Sequence, residues 1–343
     1  MPEKLKEISF TVKQPYALIH NDIVCRDNDL FITFQNLEDR SLNLYWFDST
    51  GLLGSYNKPA RIFNNALFFQ IFIKSLDSIV FYNNSDCSIC IADSTGNILS
   101  HVKIERPATS LNPENYLYCN GNNIFFYNAD QHLNVGIPDS RILYYKNVNP
   151  VIQLNLAANQ HSFQIPFGDF PVLYKKNNFD FCNYFPNICS IDSNKTVISY
   201  AADDSLYIYV NGKIVSTFPC RSQFVDKFNA YPDDKQSDML FYKQYLNNEP
   251  RYLNIVYDQF RKQFYRIVKH RFAHNKDKKL DTKSMTWSII VLNSEFEKVK
   301  ELLFQYQFFT PKIVLPSKDG IYIGSPYNPI DPCGKLTLTL FKF

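Results

Sequence analysis

Glycine is scarce. There are 10 in 343 residues, under half the roughly 7% of ordinary chains. Neither G-x-G-x-x-G nor G-x-x-x-x-G-K-[ST] occurs. Without such loops the backbone has few places to wrap a phosphate, and dinucleotide-binding and P-loop folds lose their main support. Charge of one sign is lacking as well. The 36 Lys and Arg against 33 Asp and Glu leave a net charge of +3, which gives no field for steering onto nucleic acid or anionic membranes. No apolar run approaches the roughly 18 residues of a membrane-spanning helix. The opening, Met1 to Phe10, is charged and lacks the apolar stretch of a secretory leader; a leader removed upstream is compatible with that. The nucleophile and metal motifs G-x-S-x-G and H-E-x-x-H are absent. The eight cysteines, at 25, 87, 90, 119, 182, 189, 220 and 333, form no evenly spaced framework. They read as small hydrophobes and leave the redox compartment open.

Aromatic residues, by contrast, are abundant: 30 Phe, 23 Tyr and 2 Trp. They sit in short segments rich in β-branched and aromatic residues, such as 29–34, 41–47, 78–82 and 205–210, each bounded by Asn, Asp, Ser or Gly. That is a strand pattern. The segments recur as strand, strand, tight turn, strand. The first unit runs from Asp29 through the turn Asp48-Ser49-Thr50-Gly51, and the second from Asp77 through Asp93-Ser94-Thr95-Gly96. Further starts fall near 122, 194, 254 and 319. A period of about 45 residues with this content marks a propeller blade. Five glycines, at 51, 96, 121, 212 and 320, sit at the turns, where backbone with positive φ is needed. The expectation is an all-β, single-domain propeller over 1–343. It has four-stranded antiparallel blades, six of them, and its ring is closed by the N-terminal strand near Ile8 to Val12. A seventh blade hidden between 128 and 193 is the alternative. Residues 295–307 fit either a helix or, in line with the repeat, a turn followed by a strand. Segments 226–237 and 269–284 read as solvated loops.

The stretch from Tyr252 through Tyr257, Asp258, Arg261, Tyr265 and Arg266 to His270 reads YD-x-F-R-x-x-F-YR-I-x-x-H from Tyr257 onward. It resembles a segment of domain-of-unknown-function family 4221, a Bacteroidetes group of TolB-like β-propeller proteins. The close of the chain, from Lys318 through Ile323 to a final strand, is similar to that family's close. The resemblance implies a propeller, usually exported and often lipid-anchored, and brings no known activity.

Candidate sites are few. Cys87-x-x-Cys90 has no second pair and no strand-to-helix junction, so it reads as structural. His270 and His274 would share a helix face, but on a strand they lie ~13 Å apart. Asp203-Asp204 and Asp233-Asp234 read as turn residues. The basic stretch Arg266, Lys269, His270, Arg271, Lys276, Lys278 and Lys279 is countered by Asp277 and Asp281, and reads as a solvated blade edge. The strongest set for ligand or partner contact is Tyr252, Tyr257, Asp258, Arg261, Tyr265, Arg266 and His270, since Tyr and Arg with one carboxylate suit recognition. The plainer account is a blade hairpin with Asp258 in its turn and Arg266 pairing across strands. The functional expectation is a non-catalytic binding or scaffold module for a protein or glycan. It would be monomeric and at the periplasm or cell surface, without cofactor, metal or nucleic acid. The alternative is a carbohydrate-active enzyme with carboxylates clustered in the propeller channel.

Overall fold

The structure is a computed structural model. It describes residues 2–11, 18–26, 29–36, 42–48, 50–58, 69–75, 77–83, 88–93, 95–103, 118–127, 138–156, 164–179, 185–235, 238–272, 285–326 and 334–342. The chain opens with strand β1 (Glu3–Thr11). Blade one is β2 (Leu18–Arg26), β3 (Asp29–Asn36), β4 (Leu42–Asp48) and β5 (Gly51–Lys58). Blade two is β6 (Phe69–Ser75), β7 (Ser78–Asn83), β8 (Ser88–Ala92) and β9 (Ile98–Lys103). Blade three is β10 (Tyr118–Asn120), β11 (Asn123–Tyr127), β12 (Val151–Asn155) and β13 (Gln164–Phe167). Blade four is β14 (Asn187–Ser190), β15 (Lys195–Ser199), β16 (Ser205–Val210) and β17 (Lys213–Pro219). Blade five is β18 (Arg251–Asp258), β19 (Gln263–Lys269), β20 (Thr286–Leu292) and β21 (Lys298–Gln305). The last blade joins β22 (Val314–Ser317), β23 (Gly320–Gly324) and β24 (Lys335–Lys342) to β1, in the order β1-β24-β23-β22. The fold is a six-bladed β-propeller with four-stranded antiparallel blades, and the N-terminal strand completes the last one. Among the described residues the interval 128–193 holds no seventh blade. It carries helix α1 (Pro138–Asn147), β12, β13, helix α2 (Val172–Lys176) and β14. Residues 298–305 are the strand that the repeat requires.

The backbone contacts group into two compact units. One comprises residues 2–119, 156–162 and 312–343; the other includes 120–155 and 163–311. In the first, Leu30, Ile32, Tyr45, Phe47, Tyr322 and Leu338 share one buried cluster, and Phe31, Leu44, Ile79 and Phe81 share another. In the second, β11 is buried at every residue and β20 at all but its first. Middle strands are covered on both faces, so they read as unbroken apolar runs. The outermost strands are not: β9 and β17 are largely exposed.

Tight turns close most of the described hairpins at one end of the blades. Asp48 Oδ1 accepts from the Thr50 amide and hydroxyl, both at 2.6 Å. Asp93 repeats the arrangement with Thr95 at 2.8 and 2.6 Å. The Thr95 hydroxyl is the main reason that the Asp93 carboxyl is drawn down to about 2. Gly320 is indispensable at its turn, because a Cβ there would collide with the Phe341 carbonyl oxygen. The outer hairpins of four blades also share a β-bulge just past the turn. The extra residue is Leu53, Leu99, Val215 or Val299, and each is exposed. Bulges twist an edge strand and blunt it against pairing with another chain.

Connections in an antiparallel blade alternate ends, so the second-to-third and blade-to-blade links share the other end. From blade three to blade five most of these links are long, at 128–150, 168–186, 220–250 and 270–285, while 200–204 in blade four is short. The first three carry α1, α2 and helix α3 (Met239–Asn248). Buried tyrosines fasten them. Tyr145 donates to the Phe179 carbonyl at 2.6 Å, Tyr200 to Asp169 at 2.9 Å and Tyr245 to Asn229 at 2.9 Å. Tyr174 accepts from the Ala202 amide at 2.9 Å. Each ring fills core while its hydroxyl satisfies a loop's backbone. Of the segment 226–237, the described residues 226–235 form such a loop, with a 3-10 turn at Asp233–Lys235 and with Tyr231 buried. No described helix is long and apolar enough to cross a membrane.

Candidate functional site

The seven residues singled out in the sequence fall at three levels of blade five. Asp258, Arg261, Tyr257 and Tyr265 lie at the tight-turn end. Asp258 Oδ1 accepts from the amides of Phe260 (2.9 Å) and Arg261 (3.1 Å). Its Oδ2 takes the Tyr265 hydroxyl and the Arg261 Nε, each at 2.7 Å. The carboxylate is fully buried, and burial together with Asp258 pushes the Tyr265 hydroxyl well up. Tyr257 packs on Phe264, with centroids 5.0 Å apart.

Arg266 and Tyr252 form the middle level. Arg266 is completely buried, and it does not pair across strands. Its guanidinium reaches blade four, donating to Ser199 Oγ (3.0 Å) and to the carbonyls of Cys220 (2.9 Å), Asp203 (2.6 Å), Ser205 (3.2 Å) and Tyr200 (3.4 Å). It lies 3.4 Å from the centroid of the Tyr252 ring. Tyr252 donates to Asp204 Oδ1 at 2.5 Å and accepts from the Ser222 amide at 3.1 Å. A buried cation is thus held by neutral acceptors and an aromatic face.

His270 stands at the long-loop end. Its Nδ1 faces Thr286 Oγ1 at 3.0 Å and its Nε2 faces Ser288 Oγ at 2.8 Å. Phe224, partly exposed, packs on it at 4.9 Å. Burial pulls its pKa down to about 4, against the opposing pull of Glu301, so the ring is neutral at pH 7. The Ser288 hydroxyl donates to Glu301 at 2.7 Å. Glu301 also receives Ser222 Oγ (2.5 Å), the Gln223 amide (2.9 Å) and Lys298 Nζ (2.7 Å). Burial raises its pKa, but these donors together outweigh that and hold it below the ordinary value. The serine sits between histidine and carboxylate, with its hydroxyl proton directed at the carboxylate. This is not the relay of a nucleophilic serine, in which histidine stands in the middle.

The neighbouring charges are committed too. Lys269 Nζ donates to the last carbonyls of α3: Leu246 (2.8 Å), Asn247 (2.7 Å) and Glu249 (3.0 Å). A cation there matches the negative end of the helix dipole. Arg271 grips Glu249 at 2.8 Å, and Asn229 donates to both oxygens of the same carboxylate. Lys269 and His270 are buried, which corrects the reading of 269–284 as a solvated loop for its first residues, and with Arg266 also the reading of the basic stretch as a solvated blade edge. Residues 273–284, with His274, lie outside the described residues, as does Cys87. Cys90, Cys119, Cys189 and Cys220 are buried. No group of three His, Cys, Asp or Glu among the described residues could hold a metal ion. Sequence reasoning missed Glu301, Ser222, Ser288 and Glu249. Only Asp238 gave a usable signal: its side chain accepts from the Leu240 and Phe241 amides and so starts α3 as an N-cap.

The profile of a domain of unknown function, DUF4221, matches residues 66–303. A crystal structure of a DUF4221 member from Bacteroides vulgatus is similar over 100% of this chain and 98% of its own, with 17% identity and a TM-score of 0.75. A Bacteroides fragilis protein described as exported is similar over 99% of this chain and 95% of its own, with 10% identity and a TM-score of 0.52. Virginiamycin B lyase from Staphylococcus aureus is similar over 98% and 99%, with 10% identity and a TM-score of 0.50. At such identities the likeness speaks for the fold alone. A comparison with curated proteins gave no match.

Proposed function

Since the chain belongs to the DUF4221 family, we propose that it is a non-catalytic binding module of the periplasm or cell surface. It presents the long-loop end of blades three to five to a protein or glycan partner. One observation carries this reading. Four of the described polar groups at or just beneath that end that could do acid, base or nucleophilic work, His270, Ser288, Glu301 and Glu249, are tied into internal bonds that fix the loops. A fixed loop surface binds with little ordering cost, and loops on a rigid scaffold are where recognition concentrates. The seven residues of 252–270 serve such a surface from beneath, through the loops that they hold. The likeness to an exported protein supports the location. The enzyme alternative draws no comparable support, because Glu249 and Glu301 are already saturated with donors. The test is a glycan array read together with a thermal shift. A ligand class that raises the melting temperature without being turned over is expected. Turnover of any bound glycan would replace the binding reading with the enzymatic one.

A further inference from the structure

Blades two and five close their outer hairpins with the same turn. In blade two the Gly96 amide donates to the Asp93 carbonyl and the Asp93 amide to the Asn97 carbonyl, each at 3.0 Å. In blade five the Phe296 amide donates to the Asn293 carbonyl at 3.1 Å and the Asn293 amide to the Glu297 carbonyl at 3.0 Å. The first side chain repeats as well. Asp93 Oδ1 accepts from the amides of Thr95 and Asn97, and Asn293 Oδ1 from those of Glu295 and Glu297. The fourth position is left-handed in both, with φ of 91° at Gly96 and 66° at Phe296. Blade two puts glycine there, for which such backbone carries no steric cost. Blade five puts phenylalanine. A bulky side chain at positive φ is an outlier, and it persists only where its surroundings over-determine it.

Those surroundings span two blades. The buried ring of Phe296 stacks on Phe264 of its own blade, with centroids 4.6 Å apart and planes at 25°, and on Phe218 of β17, at 4.9 Å and 27°. Lys195 Nζ, from β15, stands 5.6 Å from its centroid. Phe218 is the last residue but one of β17, directly before the 220–250 connection. The residues that follow on each side meet in the same order. Lys298 Nζ donates to the Arg221 carbonyl at 3.1 Å, and Glu301 accepts from Ser222 Oγ and the Gln223 amide.

We infer that Phe296 is a positioning residue, a strained clamp that holds the root of the 220–250 connection on blade five. The left-handed backbone is kept here because the ring stacks across the blade boundary, which glycine could not do. Phe296 fixes Phe218, and so brings Arg221, Ser222 and Gln223 into register with Lys298 and Glu301. The hydrogen bonds of the turn do not need the ring, since blade two makes them with glycine. The clamp acts without a ligand, so its test stands apart from the binding reading above.

The experiment uses the full chain, thermal melting and native-state amide exchange. Phe296→Ala loses the ring but keeps the strain, and Phe296→Gly loses both. Both are expected to melt below wild type, with the glycine variant the higher of the two; at an ordinary extended position glycine is the lower. Phe218→Ala and Phe296→Ala are expected to be non-additive, the double variant melting close to the lower of the two single ones. Exchange at the Gln223 amide, divided by exchange in β19, is expected to rise about tenfold or more in the Phe296 variants, through local opening. A role in general stability alone would speed both sites together and leave that ratio unchanged. Should the alanine and glycine variants not fold, Phe296→Leu, which keeps apolar bulk but not the flat ring, carries the cycle and the exchange ratio. Additive losses or an unchanged ratio overturn the clamp. An alanine variant that melts above the glycine variant overturns the strain.

Discussion

The two ends of blades three to five are made from the same strands but are held in different ways. At the tight-turn end most contacts close over a few residues: Asp192 to the amides of Asn194 and Lys195, Asp258 to Phe260 and Arg261, Asn293 to Glu295 and Glu297; Asn120 and Asn123 of blade three, which reach Ser190 and Ser193 of blade four, depart from that rule. At the long-loop end, and at the middle level beneath it where Arg266 and Glu301 lie, contacts close over much longer separations. Ser222 meets Glu301, Arg266 meets Cys220, Lys269 meets Leu246 and Arg271 meets Glu249. A local turn costs little to form, and its loss opens only that turn. A bond across two blades is set only after both have folded, and breaking it strands buried partners. The first end is a hem on the sheet. The second is a built surface.

That contrast can be broken on purpose, beginning with the largest effect. Arg266→Met removes every donor from a fully buried cluster of blade-four carbonyls. We expect a loss of about 3–4 kcal/mol in urea denaturation, since each orphaned acceptor costs about 1–3 kcal/mol. Acid comes next. His270 has a pKa of about 4 in the folded chain, below its ordinary 6.5, so between those values the unfolded state binds the extra proton and stability rises with pH. Lowering the pH from 7.5 to 5 should cost about 2 kcal/mol through this residue, and His270→Gln should flatten the dependence. Glu301, with its pKa held below 4.5, adds to the loss only as the pH falls through and below that value. Lys269→Met frees the end of α3 and should cost about 2 kcal/mol, the range for bonds to a charged group; faster amide exchange in 239–248 is the second readout. Asn293→Ala, at the tight-turn end, should cost only about 1 kcal/mol and leave α3 exchange unchanged. A cost for Asn293→Ala as large as that for Arg266→Met would erase the distinction between the two ends.

What could be read in advance follows the same division. Asp48, Asp93 and the turn glycines sit beside their own partners in the chain, so the turns and the blade repeat were legible. The first strand of most blades was not. β10 and β14 are short, and they lack the aromatic alternation of the strands that follow. The helices were hidden for another reason. α1 exposes Leu143 and α3 exposes Met239 and Leu240, so no apolar stripe marks them, and their tyrosines resemble strand residues. At the site, Asp258 was correctly placed in its turn. Arg266 was given the wrong partner, because its acceptors are backbone carbonyls some 46 to 66 residues away.

The central claim is that the long-loop end of blades three to five is preorganised. Native-state hydrogen exchange of the 220–250 connection tests it most directly. The amides of Gln223, bonded to Glu301, and Tyr252, bonded to the Ala201 carbonyl, should exchange only through global unfolding, at the pace of β19. Exchange there through local opening, orders of magnitude faster than β19 and without its denaturant dependence, would contradict the account.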